Sequence, residues 1–130
     1  MKKILLMMVM LFSISLVTSA QTYYYRTTSF AIKEKPYGNW SDWEASNILI
    51  TINYNTDIVR IYSPKTQVYK ITQWVRNYTD TSGGQQVEFK FIDQDGDRGH
   101  MRLRIERNGN SQLYVEFADI MWVYNLYRTN

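Results

Sequence analysis

Apolar and polar residues alternate in several separate stretches of the chain, and this alternation limits what the chain can fold into. In the clearest stretch, Met101, Leu103 and Ile105 are separated by Arg102 and Arg104. Successive side chains of a β-strand point to opposite faces, so this spacing places the apolar residues on one face and the charges on the other. The pattern predicts a strand that is buried on one side only.

Seven further stretches have the composition of strands. They alternate in the same way or are rich in β-branched and aromatic residues, which favour the half-buried surface of a sheet. These stretches are residues 23–33, 48–54, 58–62, 68–75, 87–91, 113–117 and 120–127. The last stretch also fits a helix capped by Asp119, and its aromatic content favours a strand.

Residues with turn chemistry separate these stretches at short intervals. Asn108-Gly109 suits a tight hairpin whose central residues have positive φ, so residues 100–117 are expected to form one antiparallel pair. Clusters of Gly, Pro, Asn, Asp and Ser fall between the other stretches. About eight strands without a convincing crossover helix predict an all-β single domain, an antiparallel meander that closes into a small barrel or folds into a sandwich.

The first twenty residues have the organisation of a secretory signal peptide. Lys2 and Lys3 precede an apolar run over residues 4–17, and small residues end the segment at Ala20. The run has about 14 residues, whereas a helix needs roughly 20 to cross a bilayer. We therefore predict cleavage before Gln21, a secreted or periplasmic β domain over residues 21–130, and no stable membrane anchor.

The charge balance argues against a nucleic-acid partner. The chain carries 15 Lys and Arg against 12 Asp and Glu, and two of the lysines lie in the predicted leader. The remaining residues are close to neutral, whereas binding to phosphates requires clustered Lys and Arg. The chain also has no Cys and one His, which argues against disulfide scaffolds, thiol nucleophiles and metal centres built on several His or Cys ligands.

One acidic segment has the residue types of a calcium loop. Asp93, Asp95 and Asp97 alternate, as do the oxygen ligands that calcium prefers. However, Arg98 and Arg104 occupy the positions at which such a loop needs Gly and a bidentate acid. The segment is therefore interpreted as a polar hairpin loop, and no metal site is predicted.

The sequence offers no recognisable catalytic group. His100 has no accompanying nucleophile motif, and the scattered carboxylates single out no pair for sugar hydrolysis. We therefore predict that the protein is not an enzyme and uses no cofactor.

Aromatic residues are the most distinctive part of the composition, with four Trp, eleven Tyr and five Phe. Exposed Trp and Tyr faces stack on sugars, bind apolar ligands and are frequent in protein contacts. We predict a binding site for a sugar or an apolar small molecule that uses Trp40, Trp43 and Trp74. Packing of the rings in the core is the competing interpretation. The alternative function is a structural or protein-interaction module without a small-molecule pocket.

The segment Gly38-Asn39-Trp40 resembles the Gly-x-Trp signature of the lipocalins and the wider calycin group. Proteins of this group are up-and-down barrels that hold small apolar ligands. The resemblance implies that Trp40 closes one end of the barrel and that Arg128 packs over it.

Overall fold

The computed structural model describes residues 22–130, which form nine β-strands and no helix. The strands are β1 (Thr22–Glu34), β2 (Glu44–Ala45), β3 (Leu49–Asn53), β4 (Ile58–Ile61), β5 (Gln67–Thr79), β6 (Gln85–Asp93), β7 (Arg98–Ile105), β8 (Asn110–Glu116) and β9 (Ile120–Arg128). The predicted signal peptide lies outside the described residues. A search of residues 22–130 finds no helix with the length and apolar character needed to cross a membrane.

Eight of the strands close into an antiparallel barrel. Strands β3 to β8 each pair with the next strand in chain order, and β1 pairs with both β3 and β9. At one level of the barrel, Tyr25 in β1 lies opposite Ile50 in β3 and opposite Arg128 in β9. The predicted all-β antiparallel meander is confirmed, and the barrel is the architecture that forms. Because closure pairs every strand on both sides, most of the sheet has no free edge.

The short strand β2 is additional to the barrel. Its two residues pair with Ser29 and Phe30 on β1, beyond the point where β1 leaves β3. This ninth strand was not predicted, because two residues are too few to show an alternating pattern.

The interior of the barrel is filled by the apolar rows that the alternation predicts. Met101 and Leu103 of β7 are fully buried, and the neighbouring arginines face outwards. Phe89 of β6 and Leu113 of β8 complete the same layer and are also fully buried. An eight-stranded barrel is just wide enough for side chains to fill, so the middle of this barrel is a packed core.

Strand β5 differs from the sequence prediction in length and regularity. It was predicted over residues 68–75 and runs from Gln67 to Thr79. Its pairing with β6 shifts between Ile71 and Gln73 and again between Trp74 and Arg76. Each shift is a β-bulge, and a bulge breaks the period of two on which the sequence prediction relied. The ambiguous segment 120–127 is confirmed as a strand, β9.

The hairpin between β7 and β8 forms where it was predicted, but its turn is different. Glu106 N–H donates to the Asn110 carbonyl, and Gly109 N–H donates to the Glu106 carbonyl, which makes a three-residue loop. Gly109 has φ +89°, whereas Asn108 does not have positive φ. The prediction of two central residues with positive φ was therefore wrong. A single left-handed glycine that ends a three-residue loop gives the strands the twist they need.

Aromatic packing closes one end of the barrel, where β1 ends and β9 begins. Phe91 packs edge-on against Tyr69 and against Phe117, with ring centroids 4.8 Å and 5.3 Å away. Phe117 in turn packs against Trp122 at 5.5 Å. We call this the closed end. The opposite end, where β1 begins and β9 finishes, is the open end.

Candidate functional site

The open end of the barrel contains a pocket of about 730 Å³. We call it the mouth pocket. Its aromatic wall is formed by Tyr23, Tyr54 and Trp74, with the buried Tyr25 also lining the pocket, and polar side chains reach it from Asn77 and Arg128. The volume lies within the range of pockets that bind small molecules, about 300 to 1,000 Å³.

The aromatic wall is a continuous series of ring contacts. Tyr23 and Tyr54 meet edge to face with centroids 5.1 Å apart. Tyr54 stacks on Trp74 with ring centroids 5.5 Å apart, and Trp74 packs at a tilt against the buried ring of Phe89 with centroids 5.2 Å apart. Trp74 nevertheless remains 42% exposed. The wall is therefore supported by the core from below and is open to solvent above.

Strand register explains why these rings meet. Tyr23 lies opposite Ile52, and Tyr25 lies opposite Ile50, so both tyrosines share the inward face of two fully buried isoleucines. Tyr54 follows Asn53, the last residue of β3, and continues the inward row of the same two isoleucines.

The first bulge in β5 turns Trp74 inwards. Ile71 faces the core opposite Phe91, and strict alternation from Ile71 would point Gln73 and Val75 into the barrel. The extra residue between Ile71 and Gln73 shifts the alternation by one position, so Trp74 pairs with the buried Phe89. The aromatic wall thus depends on an irregularity in the sheet.

Arg128 supplies the positive charge of the mouth pocket. Its guanidinium carbon lies 4.5 Å from the centroid of the Tyr23 ring, and its Nε donates to a main-chain oxygen of Asn130 at 2.7 Å. Arg76 also borders the pocket, but its Nε is paired with Glu88 Oε2 at 3.2 Å on the outer face. In the described part of the chain, no Asp or Glu lines the mouth pocket.

Burial raises the pKa of two of the pocket phenols. It raises the pKa of Tyr25 to about 12, an increase that the nearby charge of Arg128 partly opposes. Burial also raises the pKa of Tyr54. Both hydroxyl groups are therefore neutral at physiological pH and are able to donate hydrogen bonds.

The structure separates the three tryptophans that were predicted to bind a ligand. Trp74 lies in the mouth pocket. Trp40 lies outside the barrel, where its ring packs edge-on against Tyr114 with centroids 6.4 Å apart and Lys33 Nζ approaches it at 5.9 Å. Trp43 is 51% exposed on the same external connection between β1 and β2. Neither Trp40 nor Trp43 lines the mouth pocket.

The arrangement of Trp40 and Arg128 implied by the lipocalin resemblance is wrong for this structure. Trp40 pairs with Lys33 near the end of β1, whereas Arg128 lies opposite Tyr25 near its start. Eight residues of strand separate these two levels, which is roughly 26 Å. Arg128 therefore packs over Tyr23, and the closed end is filled by inward-facing Trp122 instead.

The acidic segment forms a turn in which one carboxylate is already used. Asp93 Oδ1 accepts hydrogen bonds from the backbone N–H of Asp95 and of Asp97, at 2.9 Å and 2.8 Å. Within residues 22–130, no three His, Cys, Asp or Glu side chains are grouped so that they could share a metal ion. His100 lies on the outer face, with its Nε2 3.8 Å from Glu88 Oε2.

Sequence reasoning did not assign Tyr23, Tyr25, Tyr54 or Arg128 to the pocket. A signal was present for Tyr54, which is the last member of an alternating row that begins at Ile48. An aromatic residue at the end of an inward row is well placed to line the end of a barrel. The sequence does not show which ends of which strands meet.

Comparisons with protein-family models, with curated proteins and with solved structures find no significant match to this chain. The geometry of the mouth pocket is therefore the basis of the functional conclusion.

Proposed function

We propose that this protein is a non-catalytic binding protein that holds a small molecule, a sugar or an apolar compound, in the mouth pocket. The observation that supports this proposal is the open aromatic wall of Tyr23, Tyr54 and Trp74 at the end of a filled barrel. Small-molecule sites are typically concave and aromatic, with few polar groups that fix the orientation of the ligand. The mouth pocket has this composition.

The polar groups at the rim favour binding through hydrogen bonds. Gln85 Nε2 donates to Asn77 Oδ1 at 3.0 Å, and both residues border the pocket. Together with the neutral tyrosine hydroxyls, they offer donors and acceptors to a ligand whose flat face lies on Trp74. These contacts orient a ligand and supply no nucleophile.

Intrinsic fluorescence tests this function, because Trp74 lies in the pocket. A panel of oligosaccharides and apolar ring compounds is titrated into the protein, and a bound ligand is expected to change the tryptophan emission. Trp74→Ala should abolish that change at a stability cost of about 1 to 2 kcal/mol, less than the 3 to 5 kcal/mol of a fully buried aromatic ring.

Trp43→Ala is the matched control for this experiment. Trp43 is also partly exposed, somewhat more than Trp74, but it lies outside the pocket, so its removal should leave the ligand response intact. A response that survives Trp74→Ala and disappears in Trp43→Ala would contradict the proposed site.

We also propose that the protein acts outside the cytoplasm, as a secreted or periplasmic protein. This proposal is supported by Lys2, Lys3, the apolar run over residues 4–17 and the small residues before Gln21. Sequencing of the exported protein should find Gln21 at its N-terminus. An exported protein that still begins with Met1 would contradict the proposed cleavage.

A second candidate function is a protein contact through the external connection between β1 and β2. Tyr37 is 95% exposed and Trp43 is 51% exposed on this connection, and aromatic side chains are frequent hot spots of protein interfaces. The double substitution Tyr37→Ser and Trp43→Ser should abolish binding to such a partner and leave the ligand response of Trp74 unchanged. Partner binding that the double variant retains would exclude this connection as the interface.

A further inference from the structure

We infer that the mouth pocket selects a rigid, planar ring compound that carries one anionic group, with the ring against Trp74 and the anionic group beside Arg128. This inference rests on the proposed function, because it names the chemical class of the ligand for the same pocket. Of the two ligand classes in the proposed function, it selects the apolar ring compound over the sugar, and it adds one anionic group to that ring.

The charge of the ligand follows from the residues that line the pocket. Arg128 contributes a full positive charge, and no Asp or Glu side chain lines the pocket in the described residues. None of the ion pairs within residues 22–130 joins Arg128 to an Asp or Glu, whereas Arg76 at the same rim is paired with Glu88. An anion that enters the pocket therefore meets a guanidinium that no Asp or Glu side chain of residues 22–130 pairs with, and it meets no Asp or Glu side chain of these residues that would repel it.

The guanidinium of Arg128 is held in position before a ligand arrives. Its contact with the face of Tyr23 at 4.5 Å is a cation–π interaction, and its Nε–H donates a hydrogen bond to a main-chain oxygen of Asn130. The two Nη atoms carry four further N–H donors in a planar fork that matches carboxylate and sulfonate oxygens. Tyr25 also lines the pocket, and burial raises the pKa of its phenol to about 12, so its hydroxyl is protonated and is a further donor.

The shape of the ligand follows from what lies beneath the pocket. Ile52, Phe89 and Leu103 are fully buried and fill the barrel immediately below the aromatic wall. A long, flexible chain therefore has no channel to enter, in contrast to a barrel with an open interior. A flat ring can lie on the exposed part of Trp74, next to the stacked ring of Tyr54.

Two fluorescent probes that share one ring system test the inference. Anilinonaphthalene sulfonate carries a sulfonate, and N-phenylnaphthylamine has the same rings without it. In the wild-type protein at low salt, we expect the sulfonate to bind about fivefold to tenfold more tightly, a moderate effect because Arg128 is exposed to solvent. Raising the salt concentration to 1 M should remove this preference and leave the neutral probe unaffected.

Arg128→Gln should abolish the preference for the sulfonate and keep the affinity for the neutral probe. Arg98→Gln is the matched control, because it removes the same charge from an exposed position near the closed end. It should leave both affinities unchanged. If Arg128→Gln does not fold, as judged by circular dichroism, the salt dependence of the wild-type protein decides the question.

The outcomes distinguish this inference from the proposed function. If the two probes bind equally at low salt and Trp74→Ala weakens the binding of both, the preference for an anionic ligand is overturned and the proposed binding function stands. Binding of neither probe, or binding that Trp74→Ala does not weaken, would count against the mouth pocket as a ligand site and hence against both proposals.

Discussion

Tyr54 stacks on Trp74 at the open end of the barrel, with ring centroids 5.5 Å apart and ring planes 22° from parallel. The two residues lie on either side of a strand, β4, that contributes neither ring. Their contact depends on the end of β3 and on the first bulge of β5. The stacked pair therefore forms only when these strands pair in the register of the barrel, and it is the centre of the aromatic wall of the mouth pocket.

Gly109→Val should destabilise the protein by about 1 to 2 kcal/mol. Gly109 has φ +89°, a region that β-branched residues resist, and a Cβ at this position would meet no atom within 4 Å. The loss should therefore come from the backbone alone. Denaturant unfolding measures it, and Gly109→Asn should cost less because Asn tolerates a left-handed backbone. An unchanged midpoint for Gly109→Val would show that the turn does not need this conformation.

Gly99→Ala should destabilise the protein for a steric reason, by about 1 to 3 kcal/mol. A Cβ on Gly99 would collide with the Phe91 ring and lie 2.5 Å from the Glu116 carbonyl oxygen. Thermal unfolding of the single variants and of the Gly99→Ala, Phe91→Leu double variant checks this explanation. In the double variant, the smaller Leu side chain at position 91 should recover part of the stability that Gly99→Ala loses. Strictly additive effects of the two substitutions would contradict a direct clash.

Tyr25→Phe should weaken the dependence of stability on alkaline pH. Burial raises the pKa of Tyr25 in the folded protein to about 12, from 10.0. The neutral phenol therefore contributes stability below pH 10, and that contribution is lost as the pH rises from 10 to 12. We expect the wild-type protein to lose more stability across this window than Tyr25→Phe, by on the order of 2 kcal/mol. Parallel stability curves for the two proteins would disprove the shift.

The loop between β6 and β7 should not bind calcium with an affinity tighter than about millimolar. Asp93 uses one carboxylate oxygen to hold the backbone of its own turn, and Arg98 follows immediately after the loop. Isothermal titration calorimetry should detect no stoichiometric binding, and Asp93→Ala should lower the free energy of unfolding without calcium present. Micromolar binding that disappears in Asp95→Ala would contradict this expectation.

Local patterns in the sequence predicted the fold class and most of the strands. The alternation around Met101 and Leu103 indicates which side chains are buried, because side-chain direction in a strand is set by the backbone of each residue and its neighbours. The turn residues near Gly109 predicted the hairpin for the same local reason. The details failed where the local pattern is weak or broken, as in the two-residue β2 and the bulged β5.

The candidate site was predicted only in part. Trp74 lies in the pocket, but Trp40 and Trp43 were chosen because they are aromatic and lie in a connection, and the structure places both on the outside of the barrel. The composition indicated a surplus of rings without indicating their positions. The alternating rows contained Tyr23 and Tyr54, and nothing in the sequence paired the beginning of one row with the end of the other.

The sequence by itself determined that this protein is an antiparallel β domain in which rows of apolar side chains face the core. Each row follows from the period of two within a strand. Only the tertiary structure decided that β1 closes on β9, that a bulge points Trp74 inwards, and that Arg128 reaches Tyr23. The physical reason is the distance along the sequence over which each feature is decided. The direction of a side chain depends on a few neighbouring residues, whereas a pocket at the end of a barrel requires strands far apart in the sequence to pair in one register.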